Sequence, residues 1–202
     1  MPDYDIEIGL RKKNFKYICG VDEVGRGSIF GPVVSGAVIL NPENLNFSIN
    51  DSKVLSDKRR RVLAEFIYEN SISYSIGWSW AEEIDSINIL NATQSSMRMA
   101  VENLQIFPDY VLIDAMESDF LGIEGKGIIK GDKKSLSIAA ASIIAKVFRD
   151  DLLIDFAYYF SDFGLDRNKG YLTLEHFKAI SDLKKTIFHR KSFKVKKWRI
   201  RD

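Results

Sequence analysis

Residues 16–40 read KYICGVDEVGRGSIFGPVVSGAVIL. Two apolar runs flank a glycine-rich turn. The first, KYICGV at 16–21, has the length of a buried strand and stops at the acidic pair Asp22-Glu23. The second, PVVSGAVIL at 32–40, is rich in β-branched residues and predicts another strand, broken by Asn41-Pro42. Further along, residues 71–80 alternate strictly. Ile72, Tyr74, Ile76, Trp78 and Trp80 interleave with Ser71, Ser73, Ser75, Gly77 and Ser79, a period of two with one apolar face. YVLI at 110–113 is continuously apolar and ends at Asp114, and residues 127–130 make a shorter fifth candidate.

Helical patterns separate these strands. Ser56 can cap a helix reaching about Asn70, with Val62, Leu63, Phe66 and Ile67 on one stripe. A second helix is expected over 89–104. The longest starts near Ser135 and spaces Ile138, Ala141, Ala145, Phe148, Leu152, Phe156 and Tyr159 by three or four. Its alanine-rich first half permits close backbone approach. Strands interleaved with helices indicate an α/β fold.

Composition fits this reading. The chain has 202 residues, 46% hydrophobic and 28% charged, an ordinary globular balance. No window comes near the roughly 18 apolar residues of a spanning helix. The acidic start Met1-Pro2-Asp3-Tyr4-Asp5 lacks signal-peptide character, and the lone Cys19 is expected as a buried thiol in a reducing cytoplasm. Four prolines and no repeats predict one compact unit over 1–202, with a core at about 14–160 and a smaller helical part at about 161–202. The net charge is only +1, yet residues 184–201 (KKTIFHRKSFKVKKWRIR) carry no carboxylate, and Lys58-Arg59-Arg60-Arg61 is a second basic run. Such patches attract phosphates, although a charge run alone is more readily a solvated surface.

Three acidic positions stand out by location. Asp22-Glu23 follows the first strand, Asp114 ends the fourth, and Asp132 precedes the long helix. Singly, each has an ordinary explanation as a turn, a helix cap or a surface acid. Together, carboxylates leaving neighbouring strand ends converge, repel one another and call for a cation. Oxygen-only ligands suit Mg²⁺ or Mn²⁺. Two such ions can activate a water and stabilise the leaving oxygen of a phosphodiester. The adjoining Gly25-Arg26-Gly27 allows close backbone approach to a polynucleotide, with a guanidinium for phosphate.

With these motifs in place, the chain resembles the type 2 ribonuclease H family, bacterial ribonuclease HII. The matching segments are GVDEVGRG (20–27), NDSKVLSDKRR (50–60), NILNAT (88–93) and YVLIDA (110–115), then KGDKKSLSIAAASIIAKVFRD (130–150), KGY (169–171) and HRKSF (189–193). Their order and spacing match together over most of the chain.

The resemblance implies an RNase H-like α/β fold with a mixed five-stranded sheet flanked by helices and a small helical C-terminal extension. It implies that Asp22, Glu23 and Asp114 are metal ligands, with Asp132 as the fourth catalytic carboxylate. Gly25, Arg26 and Gly27 would sense the ribose 2′-hydroxyl, the group that separates RNA from DNA. Tyr171 would stack on the sugar after the ribonucleotide, and Lys53 would contact a phosphate. The implied substrates are RNA–DNA hybrids and DNA duplexes containing ribonucleotides, cut by a monomer using Mn²⁺ or Mg²⁺. Two positions depart from the pattern. Ser28 stands where proline is frequent, and Ala115 stands where glycine is common. His176 and His189 are expected to be structural or phosphate-proximal, not general bases. The rivals are a DNA-acting nuclease of the same superfold and a non-catalytic nucleic-acid-binding module.

Overall fold

Both runs around the glycine turn are strands, at and beside the centre of one sheet. The computed structural model describes residues 2–45, 55–117, 119 and 122–194. Strands β1 (Ile18–Val24), β2 (Val33–Leu40), β3 (Ser71–Ser79), β4 (Tyr110–Asp114) and β5 (Gly125–Ile128) line up in the order β3-β2-β1-β4-β5. β1 pairs antiparallel with β2 and parallel with β4, while β2–β3 is antiparallel and β4–β5 parallel. The expected mixed five-stranded sheet is present. Helices α1 (Asp5–Arg11), α2 (Asp57–Asn70), α3 (Ala81–Glu102), α4 (Leu136–Tyr159), α5 (Leu165–Asn168) and α6 (Leu174–Leu183) complete the fold. None of the described helices is long and apolar enough to cross a membrane.

β1 runs past its expected end at Val21. The reason is its antiparallel neighbour, which goes on pairing Asp22 with Gly36, Glu23 with Ser35 and Val24 with Val34. The acidic pair therefore belongs to the strand, where ladder hydrogen bonds fix its backbone.

α4 lies across β1 and β2. Ser135 caps it, its hydroxyl accepting from Ile138 N at 3.2 Å, and Leu136 to Ala141 are all buried. The alanines do bring backbone to backbone. A Cβ on Gly20 of β1 would sit 2.1 Å from the Ser137 carbonyl carbon. Together with α2, this face buries Val38, Leu40, Leu63, Ile67, Ile143 and Ile144. Of the stripe expected on α2, Leu63 and Ile67 face inward, Phe66 is half-buried and Val62 is exposed, while Arg60 and Ala64 take the other inner positions.

The opposite face belongs to α3. Its partner surface on β3 is the small one: Ser73, Ser75 and Ser79 are buried, while Tyr74 and Trp78 are partly exposed. Alternation correctly predicts the strand but not which side a helix covers. Small residues let α3 settle close to β3, and backbone groups of α3 and of the segment just after it satisfy their hydroxyls. Ser79 Oγ donates to Ala92 O at 3.0 Å, Ser75 Oγ donates to Ala100 O, and Ser73 Oγ accepts from Gln105 N. α3 also begins earlier than expected. Asn88, at φ 68°, divides it into two helical stretches, and its Oδ1 caps the second by accepting from Leu90 N and Asn91 N.

Glu7 of α1 is fully buried against the start of α4. One of its oxygens accepts from Ser135 Oγ at 2.6 Å and from Ser137 N at 3.0 Å. The positive end of the helix dipole favours a carboxylate there. Glu7→Ala leaves two buried donors without their acceptor. At about 1–3 kcal/mol for a buried polar group left unpaired, the loss should be roughly 3 kcal/mol in a urea titration. A change below about 1 kcal/mol would show that α1 contributes little to holding α4.

The C-terminal part is helical, as expected. Phe30, from just after the glycine turn, forms its core with Leu153, Phe163, Leu165 and Ala179.

Candidate active site

The parallel register aligns Val21 with Ile113. One residue further on, Asp22 and Asp114 sit side by side at the same level of adjacent strands, projecting to the same face. Glu23 follows Asp22. All three line one cleft of about 330 Å³, together with Val24, Arg60, Ser142, Lys146 and Tyr171.

The carboxylates are held individually. Asp22 is 5% exposed; its Oδ1 accepts from Glu23 N at 2.8 Å, and Ser142 of α4 hydrogen-bonds its side chain. Asp114 Oδ1 accepts from Gly131 N at 2.6 Å. Glu23 leans toward Arg26, at 3.3 Å. Burial, then the Glu23 and Asp114 charges, raise the Asp22 pKa well above the carboxylate range, with Ser142 opposing. Burial also raises Glu23, against the pull of Arg26. The cluster thus resists its own negative charge. Its donors are hard oxygens, which fit a hard divalent cation. Among the described residues no three such groups already close around one point.

Asp132 is the one candidate acid that is not among the cleft-lining residues. It is 3% exposed on the 3-10 turn Gly131–Lys133. Its neighbour Gly131 donates the amide that holds Asp114.

Gly25, Arg26 and Gly27 form the rim beside Glu23. Gly25 has φ +90°, and a Cβ there would collide with Arg149, so glycine is required twice over. Arg26 and Gly27 are exposed. The distant Lys169-Gly170-Tyr171 turn docks on this loop. Gly170 O accepts from Ile29 N at 3.0 Å and Phe30 N at 3.2 Å, and a Cβ on Gly27 would touch Tyr171 Cε1 at 3.7 Å. Tyr171 is 40% exposed at the cleft wall. Lys53 lies outside the described residues.

Both departures from the family pattern have structural meaning. Ser28 is buried, and its Oγ lies 2.8 Å from both Phe30 O and Gly170 O, tying the two loops in a way proline would not. Ala115 does adopt the left-handed conformation, at φ 50°, at a cost of about 1–2 kcal/mol that glycine would avoid.

Sequence reasoning passed over Arg60, Ser142 and Lys146 as site residues. Arg60 was legible only as part of a basic run. Ser142 and Lys146 are four apart on α4, a polar pair on one face, and Lys146 Nζ donates to Asp150 Oδ1 at 2.7 Å.

His176 and His189 are structural, each fully buried. Thr186 N donates to His189 Nδ1 at 3.0 Å, so the His189 proton is on Nε2. That proton goes to His176 Nε2 at 3.1 Å, and His176 Nδ1–H therefore donates to Tyr171 O at 3.1 Å. Burial, the neighbouring histidine and Lys185 depress His189 to about 3, and burial lowers His176. Both folded values lie below the ordinary 6.5, so the unfolded chain binds more protons between about pH 6.5 and 3. Stability is then full above 6.5 and falls below it, by up to about 1.4 kcal/mol per pH unit and histidine. Urea unfolding between pH 7 and 5 should show this slope, reduced in His189→Gln; identical slopes would contradict the neutral pair.

Comparison with known proteins bears on this arrangement. The family described as Ribonuclease HII matches residues 19–196. Ribonuclease HII of Caldicellulosiruptor saccharolyticus is 43% identical over 190 residues, covering 94% of this chain and 93% of that protein. That of Moorella thermoacetica is 46% identical over 191 residues, covering 95% and 93%. The chain belongs to the ribonuclease HII family. Among solved structures, ribonuclease H2 of Pyrococcus horikoshii superposes with a TM-score of 0.74 at 23% identity, over 89% of this chain and 94% of that one. The ribonuclease HII of Archaeoglobus fulgidus, in its complex with PCNA, gives 0.75 at 23%, over 90% and 96%. At that identity the two structures speak to the fold, which they share. Family membership makes the chain an endoribonuclease acting on RNA–DNA hybrids.

Proposed function

We propose that the chain hydrolyses the phosphodiester 5′ to a ribonucleotide, including a single one embedded in duplex DNA, leaving a 3′-hydroxyl and a 5′-phosphate. Asp22, Glu23 and Asp114 would hold Mg²⁺ or Mn²⁺, with Asp132 as the fourth carboxylate, one residue from the amide that orients Asp114. When bound, a divalent ion neutralises the acids and lowers the pKa of a water for attack on phosphorus. Gly25, Arg26 and Gly27 would lie along the ribose, Tyr171 would stack on the next sugar, and Lys53 would meet a phosphate. The supporting observation is the alignment of Asp22 with Asp114 in a cleft whose rim is the docked GRG and KGY loops.

A loop that approaches a 2′-hydroxyl gives this chemistry a reason to sit beside GRG, which a DNA nuclease would not need. A binding module would gain nothing from carboxylates beside phosphates. The setting we infer is a monomer in a reducing cytoplasm, in keeping with the buried free Cys19. Matched duplexes with and without one ribonucleotide, incubated with Mg²⁺, Mn²⁺ or chelator, test the reading. Cutting confined to the ribonucleotide and to added metal supports it; equal cutting of all-DNA duplex would replace it with the DNA nuclease.

A further inference from the structure

The two largest fully buried side chains are both arginines, Arg149 on α4 and Arg190 in the HRKSF segment, each 0% exposed. Burying a guanidinium without a carboxylate is costly, and neither forms an ion pair among the described residues. Their hydrogen bonds go to backbone carbonyls. Arg149 donates from Nε to Pro32 O at 2.9 Å, from one terminal nitrogen to Lys169 O at 2.9 Å and from the other to Phe30 O at 3.1 Å. Arg190 donates to Gly31 O at 3.0 and 3.1 Å and to Arg26 O at 2.8 Å. The rigid five-donor fork is thus spread over the GRG loop, the segment after it and the KGY turn.

We propose that Arg149 and Arg190 are paired positioning residues that fix the GRG loop and Tyr171 as one reading surface and lend it their unneutralised positive charge. The proposal rests on the reading that these loops contact the ribonucleotide. Carbonyls satisfy the N–H groups but leave the net charge in place. Asp150 acts on Arg149 and Asp85 on Arg190 without an ion pair to either, so under a low-dielectric cover charge remains poorly screened and favours a phosphodiester backbone outside. Burial lowers Arg149 to about 10 and Arg190 to about 9, so both stay protonated at neutral pH. Geometry supports the bracing role independently. Gly25 packs so tightly that a Cβ would fall 2.2 Å from Arg149 Nε, and the Arg149 guanidinium stands 5.9 Å from the Tyr171 ring centroid.

Charge and fork can be separated by substitution. The full chain, in chelator so that no cleavage occurs, is titrated by fluorescence anisotropy against a duplex with one ribonucleotide and the same duplex in DNA, across a salt series. Arg190→Lys keeps the charge and loses the fork: its ribonucleotide preference should fall about tenfold with an unchanged salt slope. Arg190→Met loses both, and the slope of log affinity against log salt should shrink by about one. A Lys variant with undiminished preference overturns the positioning role, and a Met variant with the wild-type slope overturns the charge. Where Arg190→Met does not fold, Arg149→Met carries the charge test in its place, with the same expected fall in slope and a wild-type slope overturning the charge. Wild type binding both duplexes equally removes instead the underlying reading of the loops.

Discussion

Asp114→Asn should lower single-turnover cleavage of an RNA–DNA hybrid by on the order of a thousandfold or more, which is about 4 kcal/mol of barrier. The substitution is nearly isosteric. The Asn carbonyl can still accept from Gly131 N, the contact Asp114 makes at 2.6 Å, so the turn before α4 keeps its anchor and the melting temperature should change little. What disappears is one charge from the set proposed to hold a divalent cation. Hybrid binding in chelator should be preserved or tightened, because a carboxylate that repelled phosphate has gone. Cleavage within tenfold of wild type would remove Asp114 from the chemistry; loss of binding together with cleavage would make its role structural.

Gly20→Ala should be the most damaging small change in the core. The new methyl would lie 2.1 Å from the Ser137 carbonyl carbon and 2.3 Å from Ile138 N. These are backbone atoms of the first turn of α4, unable to rotate aside. Overpacking commonly costs 1–3 kcal/mol, and a backbone collision belongs at or above the top of that range, about 3 kcal/mol, or roughly 10 °C in melting temperature for a chain this size. Displacing α4 also moves Ser142 away from Asp22, so the folded fraction should lose activity as well. An unaltered melting temperature would mean that β1 and α4 are less closely apposed than described.

Much of this was legible in the sequence. Strands β1, β2, β3 and β4 announced themselves by apolar runs and by strict alternation, and the long helix by spacing and the Ser135 cap. That Asp22, Glu23 and Asp114 would share one cleft was legible because strand ends in an α/β fold are where ligands gather. Other features depended on packing that a linear pattern does not encode. The alternation over 71–79 said nothing about α3 choosing the serine side, and nothing local set Ser142 or Lys146 apart until α4 crossed β1. Asp132 looked equivalent to the other acids, yet its turn leaves it outside the cleft lining. Arg149 and Arg190 were hidden for a general reason: charged residues are expected on the surface, so their complete burial is visible only once the loops they hold are in view.

The contact between Arg190 and the Arg26 carbonyl joins positions 164 residues apart. All four candidate acids precede that partner in synthesis, the last of them at 132. A chain still emerging from the ribosome can therefore acquire its four candidate acids well before the arginine that holds the loop proposed to meet the ribose. On the proposed assignment selectivity comes last, and a truncation before residue 190 should cost it ahead of chemistry.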